Sequence, residues 1–160
     1  AYETSDLFQQ RVNLAVNQTL EYHSGSNNSI GSRITFLLNS WEVIKENPII
    51  GIGTGDFPIE YKKINQINTP AIPNTSNPHN MYILILMELG VIGLVSMLSI
   101  FYYQIKLSIN SSNRFIRDIG ITLPLLFLVI MWSDSYLLGH YTTLMFVFFS
   151  SFLYKDFEKY

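Results

Sequence analysis

The stretch from Met81 through Ile105 carries one charged side chain, Glu88, in an otherwise apolar run. As a helix it is long enough to cross the roughly 30 Å hydrocarbon core of a bilayer. Its Leu, Ile, Val and Phe residues contribute about −0.3 to −0.6 kcal/mol each, which together exceed the roughly 3 kcal/mol opposing burial of one central carboxylate. Insertion is favoured despite Glu88. Because lipid offers no partner for backbone polar groups, this stretch directs the chain towards a helical membrane protein.

Two further apolar runs follow. Ile119 to Trp132 is short and contains Pro124; a membrane helix tolerates proline where a neighbour takes up the carbonyl left without a partner. Tyr136 to Tyr154 has His140 near its start and carries Phe146, Phe148, Phe149 and Phe152. The expectation is an all-α, multi-pass membrane protein, with an extracytoplasmic helical loop region over residues 1–78 and about three transmembrane helices over residues 79–160. A buried helical hairpin in a soluble protein is the competing reading, and the adjacent long run favours lipid. The link at residues 106–117 holds Lys106, Arg114 and Arg117 with no acidic residue, whereas the turn Ser133-Asp134-Ser135 has no Lys or Arg. Positive charge accumulates on the cytoplasmic side, so the clear span begins at the outer face at His79 and residues 1–78 lie outside the cytoplasm.

Those first residues are rich in Asn, Ser, Thr, Gly, Pro and charge. The net charge of −2, without a basic stretch, leaves no electrostatic footprint for nucleic acid. Cysteine is absent, which excludes a disulfide framework, a thiolate metal site and a Cys nucleophile. The chain opens Ala1-Tyr2-Glu3-Thr4 without an initiator Met or an apolar leader, and we expect upstream sequence.

Two helical stretches are expected in the outer segment, about Leu7 to Tyr22 and Ile34 to Lys45, split by a loop at residues 24–29. The second sets Ile34, Leu37, Leu38, Trp41 and Ile44 at helical spacing, a face for protein or the membrane surface. Asn47-Pro48-Ile49-Ile50-Gly51-Ile52-Gly53-Thr54-Gly55-Asp56-Phe57 then stops the helix: Pro48 disfavours a helical Asn47, and the alternating glycines permit positive φ. A phosphate-loop reading lacks the Lys-Ser or Lys-Thr and the strand-turn-helix context. Glycines that let the backbone approach a neighbouring helix closely are the better account.

In Ser76-Asn77-Pro78-His79-Asn80, immediately before the clear span, Asn77 fits a helix cap and Pro78 the first helical position. His79 and Asn80 would then lie in the first turn, at the outer water-lipid boundary, where free backbone N–H groups and the positive dipole end attract anions such as a lipid-linked phosphate. The same end disfavours a charged imidazole and leaves His79 able to accept a proton. Polar residues at a membrane interface are the plain alternative.

The ordered set Arg33, Trp41, Asn47-Pro48, Gly51-x-Gly53-x-Gly55-x-Phe57, Tyr61, His79-Asn80, Glu88-x-Gly90 and Gly93 resembles the signature of the O-antigen ligase and polymerase family of bacterial membrane proteins, of which the chain would be a C-terminal part. The resemblance implies glycan transfer from an undecaprenyl pyrophosphate carrier to an acceptor hydroxyl, on a glycan or on lipid A-core, at the outer face of the inner membrane, without metal, cofactor or nucleotide sugar. It also implies that Arg33 binds the donor pyrophosphate and that His79 assists the acceptor hydroxyl; a further basic residue of the family, lying upstream, has no assured match here. Such chemistry needs a proton acceptor and stabilisation of the leaving pyrophosphate, and a guanidinium offers phosphate a planar fork of donors.

Asn80 and Tyr61 are the candidate substrate-binding residues, although Tyr61, Lys62 and Lys63 also fit a solvated face. Glu88, roughly 13 Å along the helix from His79, is expected to make a structural hydrogen bond to a neighbouring span, and Gly90 and Gly93 to permit close helix approach. Asp134 and His140 either edge the site or are solvated loop residues, the latter being favoured. His23 is assigned no role. A transporter or flippase fragment, with Glu88 as the coupling group, and a non-enzymatic membrane scaffold are the alternatives from other classes.

Overall fold

The structure, a computed structural model, describes residues 5–20 and 29–154, so His23, Tyr22 and most of the expected loop at 24–29 lie outside the described residues. The described residues are helical, with no strand: α1 (Asp6–Leu20), α2 (Ser29–Glu46), α3 (Phe57–Asn68), α4 (Met81–Ile109), α5 (Arg114–Ile130), a short 3-10 turn (Tyr136–Leu138) and α6 (His140–Leu153). The all-α expectation holds. Of these helices only α4 is long and apolar enough to cross a membrane; at 1.5 Å per residue α5 and α6 are about 25 and 21 Å long.

α2 begins earlier than expected, at Ser29, so Arg33 lies inside the helix and does not open it. Its apolar face is only partly used: Ile44 is buried, whereas Leu37, Leu38 and Trp41 are exposed. The face packed inward is mixed, with Thr35, Asn39, Ser40 and Val43. Asn39 explains this. Its Nδ2 donates to Thr69 Oγ1 at 2.8 Å and Asn65 Oδ1 at 3.2 Å, while Asn65 Nδ2 donates to the Ile72 carbonyl at 2.9 Å and to Asn74 Oδ1 at 3.0 Å. Buried amides demand partners, and this network sets α2, α3 and the loop after α3 in one register.

α4 is not one straight helix. Gly90 sits at φ 64°, ψ −163°, a region open in practice only to glycine. The glycine-rich turn enters this break and takes up its backbone groups: Ile52 N donates to Met87 O and Gly53 N to Glu88 O, both at 2.9 Å, while Val91 N donates to Pro48 O at 2.9 Å and Ile92 N to Ile49 O at 3.2 Å. A Cβ on Gly51 would run into the Glu88 backbone, and one on Gly90 into the Ile49 backbone. The expected close backbone approach is therefore present. Glu88 departs from expectation: its Oε1 accepts from Gly55 N at 3.0 Å, so it holds the turn and not a neighbouring span.

The direction change at Gly90 is large. At one end Met81 N donates to Met131 O at 2.9 Å; at the other, Gly120 lies so close to Ser108 that an added Cβ would strike its Oγ. A straight helix from Met81 to Ser108 would measure about 40 Å, against about 16 Å from Met131 to Gly120 along α5. Both contacts exist only because Met81–Leu89 turns across the end of the bundle while Val91–Ile109 runs along α5. Below the turn, Phe146 packs on Phe101 and Phe127 at ring-centroid distances of 5.5 and 4.8 Å. Pro124 cannot donate to the Gly120 carbonyl; Tyr154 Oη donates to it instead, at 2.7 Å, as a proline in a packed helix requires. The third apolar run is divided, since Gly139 separates the 3-10 turn from α6.

Candidate functional site

The start of α4 differs from the sequence expectation. Asn80, not Asn77, is the cap: its Oδ1 accepts from Tyr82 N at 3.0 Å and Ile83 N at 3.1 Å. With Met81 N on Met131 O and Leu84 N on Asn80 O, the backbone donors of the first turn are engaged. The expected anion site at this helix end is closed. Asn80 Nδ2 also donates to Trp132 O at 3.1 Å, so both ends of its amide serve the framework. Tyr61 is likewise internal, fully buried with its hydroxyl in the Asn39–Asn65 network; Lys62 and Lys63 do lie on an exposed face. Asn80 and Tyr61, the candidate substrate-binding residues, are thus both engaged with the scaffold.

His79 precedes the helix and has φ 53°, a left-handed conformation uncommon outside glycine and often found at functional positions. Asn77 imposes it. Its Oδ1 accepts from His79 N at 2.9 Å and from Ser135 Oγ at 2.7 Å, which ties the His79 backbone to the turn after α5. The imidazole lies against Phe36 of α2, ring centroids 6.2 Å apart and planes inclined 26°. Its Nδ1 is 3.1 Å from Asp134 Oδ1. An ionised carboxylate only accepts, so this contact calls for a proton on Nδ1, the tautomer that leaves Nε2 as the acceptor.

Arg33, one turn before Phe36 on α2, donates from Nη1 to the Ser133 carbonyl at 2.8 Å. The two residues singled out in the sequence therefore meet on consecutive residues of one turn, Ser133 and Asp134. Neither is deeply buried. Arg33 is exposed, and the His79 and Asp134 side chains are 37% and 38% exposed; a pair so exposed contributes about 0–1 kcal/mol to stability. Its consequence is orientation. Beside Asp134 lies an open hollow of about 430 Å³, lined by Asn77, Ser135, Tyr136, His140, Tyr141 and Thr142 among others.

Asp134 is the main residue that the sequence reading undervalued. Although its side chain is 38% exposed, it contacts the His79 ring, and His140 lines the hollow beside it. The only local signal was its place between two serines at the outer turn. Phe36 and Asn77 gave none for their contacts with His79. Among the described residues no group of three His, Asp or Glu side chains is placed to hold a metal.

No curated protein and no solved structure matches the chain. The family model described as O-antigen ligase matches residues 3–98, a range that holds Arg33, the glycine turn, His79 and the Gly90 break. With more than half its length matched, the chain belongs to the O-antigen ligase family.

Proposed function

We propose that the chain carries the acceptor-activating part of an enzyme that transfers a glycan from an undecaprenyl pyrophosphate-linked donor to an acceptor hydroxyl, on a glycan or on lipid A-core, at the outer face of the bacterial inner membrane. Family membership supports glycan transfer in general and association with the membrane. The observation that carries the finer reading is the convergence of Arg33 and His79 on the Ser133–Asp134 turn. In this reading α4, α5 and α6 belong to a multi-pass membrane domain, residues 1–78 lie outside the cytoplasm, and neither metal nor cofactor takes part.

The acceptor oxygen attacks the anomeric carbon of the donor sugar and gives its proton to Nε2 of His79. The bond from that carbon to the pyrophosphate oxygen breaks, and the pyrophosphate leaves with the electron pair. Asp134 keeps the ring proton on Nδ1 and stabilises the imidazolium as it forms. Arg33 uses one nitrogen on Ser133 and faces the leaving phosphate with its remaining N–H groups, where charge-assisted bonds are strongest. The hollow beside Asp134, with its tyrosines and hydroxyls, suits a sugar.

The test is the transfer rate of the complete protein with lipid-linked glycan. General-base catalysis supplies about 100- to 10,000-fold, so His79→Ala is expected to lose that much with membrane insertion intact, and His79→Gln nearly as much. A fully active His79→Gln would remove the base role.

A further inference from the structure

We infer that the turn Asn47–Gly53 is a wedge seated in the outer leaflet of a lipid bilayer, and that the chain crosses the hydrocarbon only from Val91 onward. The inference goes beyond glycan transfer but rests on the membrane reading of α4. The register between α4 and α5 shows that Met81–Leu89 lies across the bundle end, which leaves Val91–Ile109 as the crossing segment, about 28 Å long and matched to the roughly 30 Å core. Along it Val91, Ile92, Val95, Ile100 and Ile109 are exposed, as a lipid-facing helix requires. The earlier segment is different in kind, with Met81, Leu84, Ile85 and Met87 all buried in the protein.

The turn is bonded to this crossing segment at its outer end, through Pro48 O to Val91 N and Ile49 O to Ile92 N. At its tip Ile49 and Ile50 are 64% and 71% exposed. Irregular backbone is tolerated near hydrocarbon only where its polar groups find protein partners. Here much of the turn is so engaged: beyond the two carbonyls just named, Gly51 N donates to Asn47 O, Ile52 N to Met87 O and Gly53 N to Glu88 O. Ile50 also continues an apolar groove of about 490 Å³ along α4 with Ile85, Leu89, Ile92, Met97 and Ile100. Continuity of the tip with the crossing face selects lipid as its occupant.

Single cysteines at Ile50→Cys, Val95→Cys and Gln66→Cys, each carrying a bimane label, would be compared in the complete protein in phosphatidylcholine–phosphatidylglycerol vesicles. Lipids brominated near the headgroup end of the acyl chain quench from within the leaflet, and iodide quenches from water. The label at Ile50 is expected to be quenched several-fold more by brominated lipid than the label at Gln66, an exposed position of α3, and to be protected from iodide. Iodide quenching equal to that at Gln66 would overturn the wedge, as would protection from both quenchers, which would mean a protein cover. Absence of lipid quenching at Val95 would overturn it together with the membrane reading, while glycan transfer would still be judged by its own rate assay.

Discussion

Gly90→Ala tests the feature on which the outer architecture depends. At φ 64°, ψ −163° a Cβ imposes about 1–3 kcal/mol of backbone strain, and the added atom would meet the Ile49 backbone. Relief requires the glycine turn to leave the break, with loss of its four cross-links to Met87, Glu88, Val91 and Ile92. At about 1 kcal/mol net per hydrogen bond that is roughly 4 kcal/mol more, so the total approaches the 5–15 kcal/mol stability of a typical domain. Gly55→Ala is the internal control: its φ is also positive, at +86°, but no atom lies within 4 Å of the new Cβ, leaving strain of about 1–2 kcal/mol. In the detergent-solubilised complete protein, Gly90→Ala should lower the unfolding temperature well beyond Gly55→Ala. It should also expose an Ile52→Cys thiol to maleimide, since Ile52 is held at Met87 only by the docked turn. Equal unfolding temperatures for the two variants, with Ile52→Cys equally protected, would refute the reasoning.

Three further outcomes are expected. Asp134→Asn lets an amide donate to Nδ1 of His79, moving the ring proton to Nε2 and removing the acceptor; transfer should fall about 100-fold or more with little change in stability, and wild-type turnover would show that Asp134 does not orient the ring. Arg33→Lys keeps the charge but cannot bond Ser133 O and a phosphate through one planar fork; loss of one charge-assisted bond of about 1.5–3 kcal/mol predicts a roughly 10- to 100-fold slower transfer, and equal turnover by wild type, Arg33→Lys and Arg33→Ala would remove Arg33 from the site. For topology, a membrane-impermeant thiol reagent on intact spheroplasts should label Ser76→Cys and not Ser111→Cys, and the reverse pattern would invert the orientation.

What the residues determined alone was largely local. An apolar run from Met81 with a single carboxylate specifies helix, and alternating glycines after Asn47-Pro48 announced a turn that approaches another backbone. The ordered residues from Arg33 to Gly93 carried the family, which the match over residues 3–98 bears out. Arg33 was singled out by the family resemblance, and His79 also by its place immediately before the apolar run that starts at Met81. Contacts between residues distant in the chain were not legible. Pro78 beside Asn77 suggested an earlier helix start, yet the cap moved to Asn80 because Trp132 and Met131 lie within reach of its amide and of Met81 N. Composition read Met81 to Ile105 as one span, since hydropathy does not register direction; the bend at Gly90 exists because Pro48 and Ile49 supply carbonyls to Val91 and Ile92. Asp134 read as a solvated turn residue until the fold brought it to 3.1 Å from His79. Local propensity and apolar patterning are properties of neighbours in sequence, whereas a hydrogen-bond partner more than fifty residues away is set only when the helices pack, and that packing made two polar residues a candidate site.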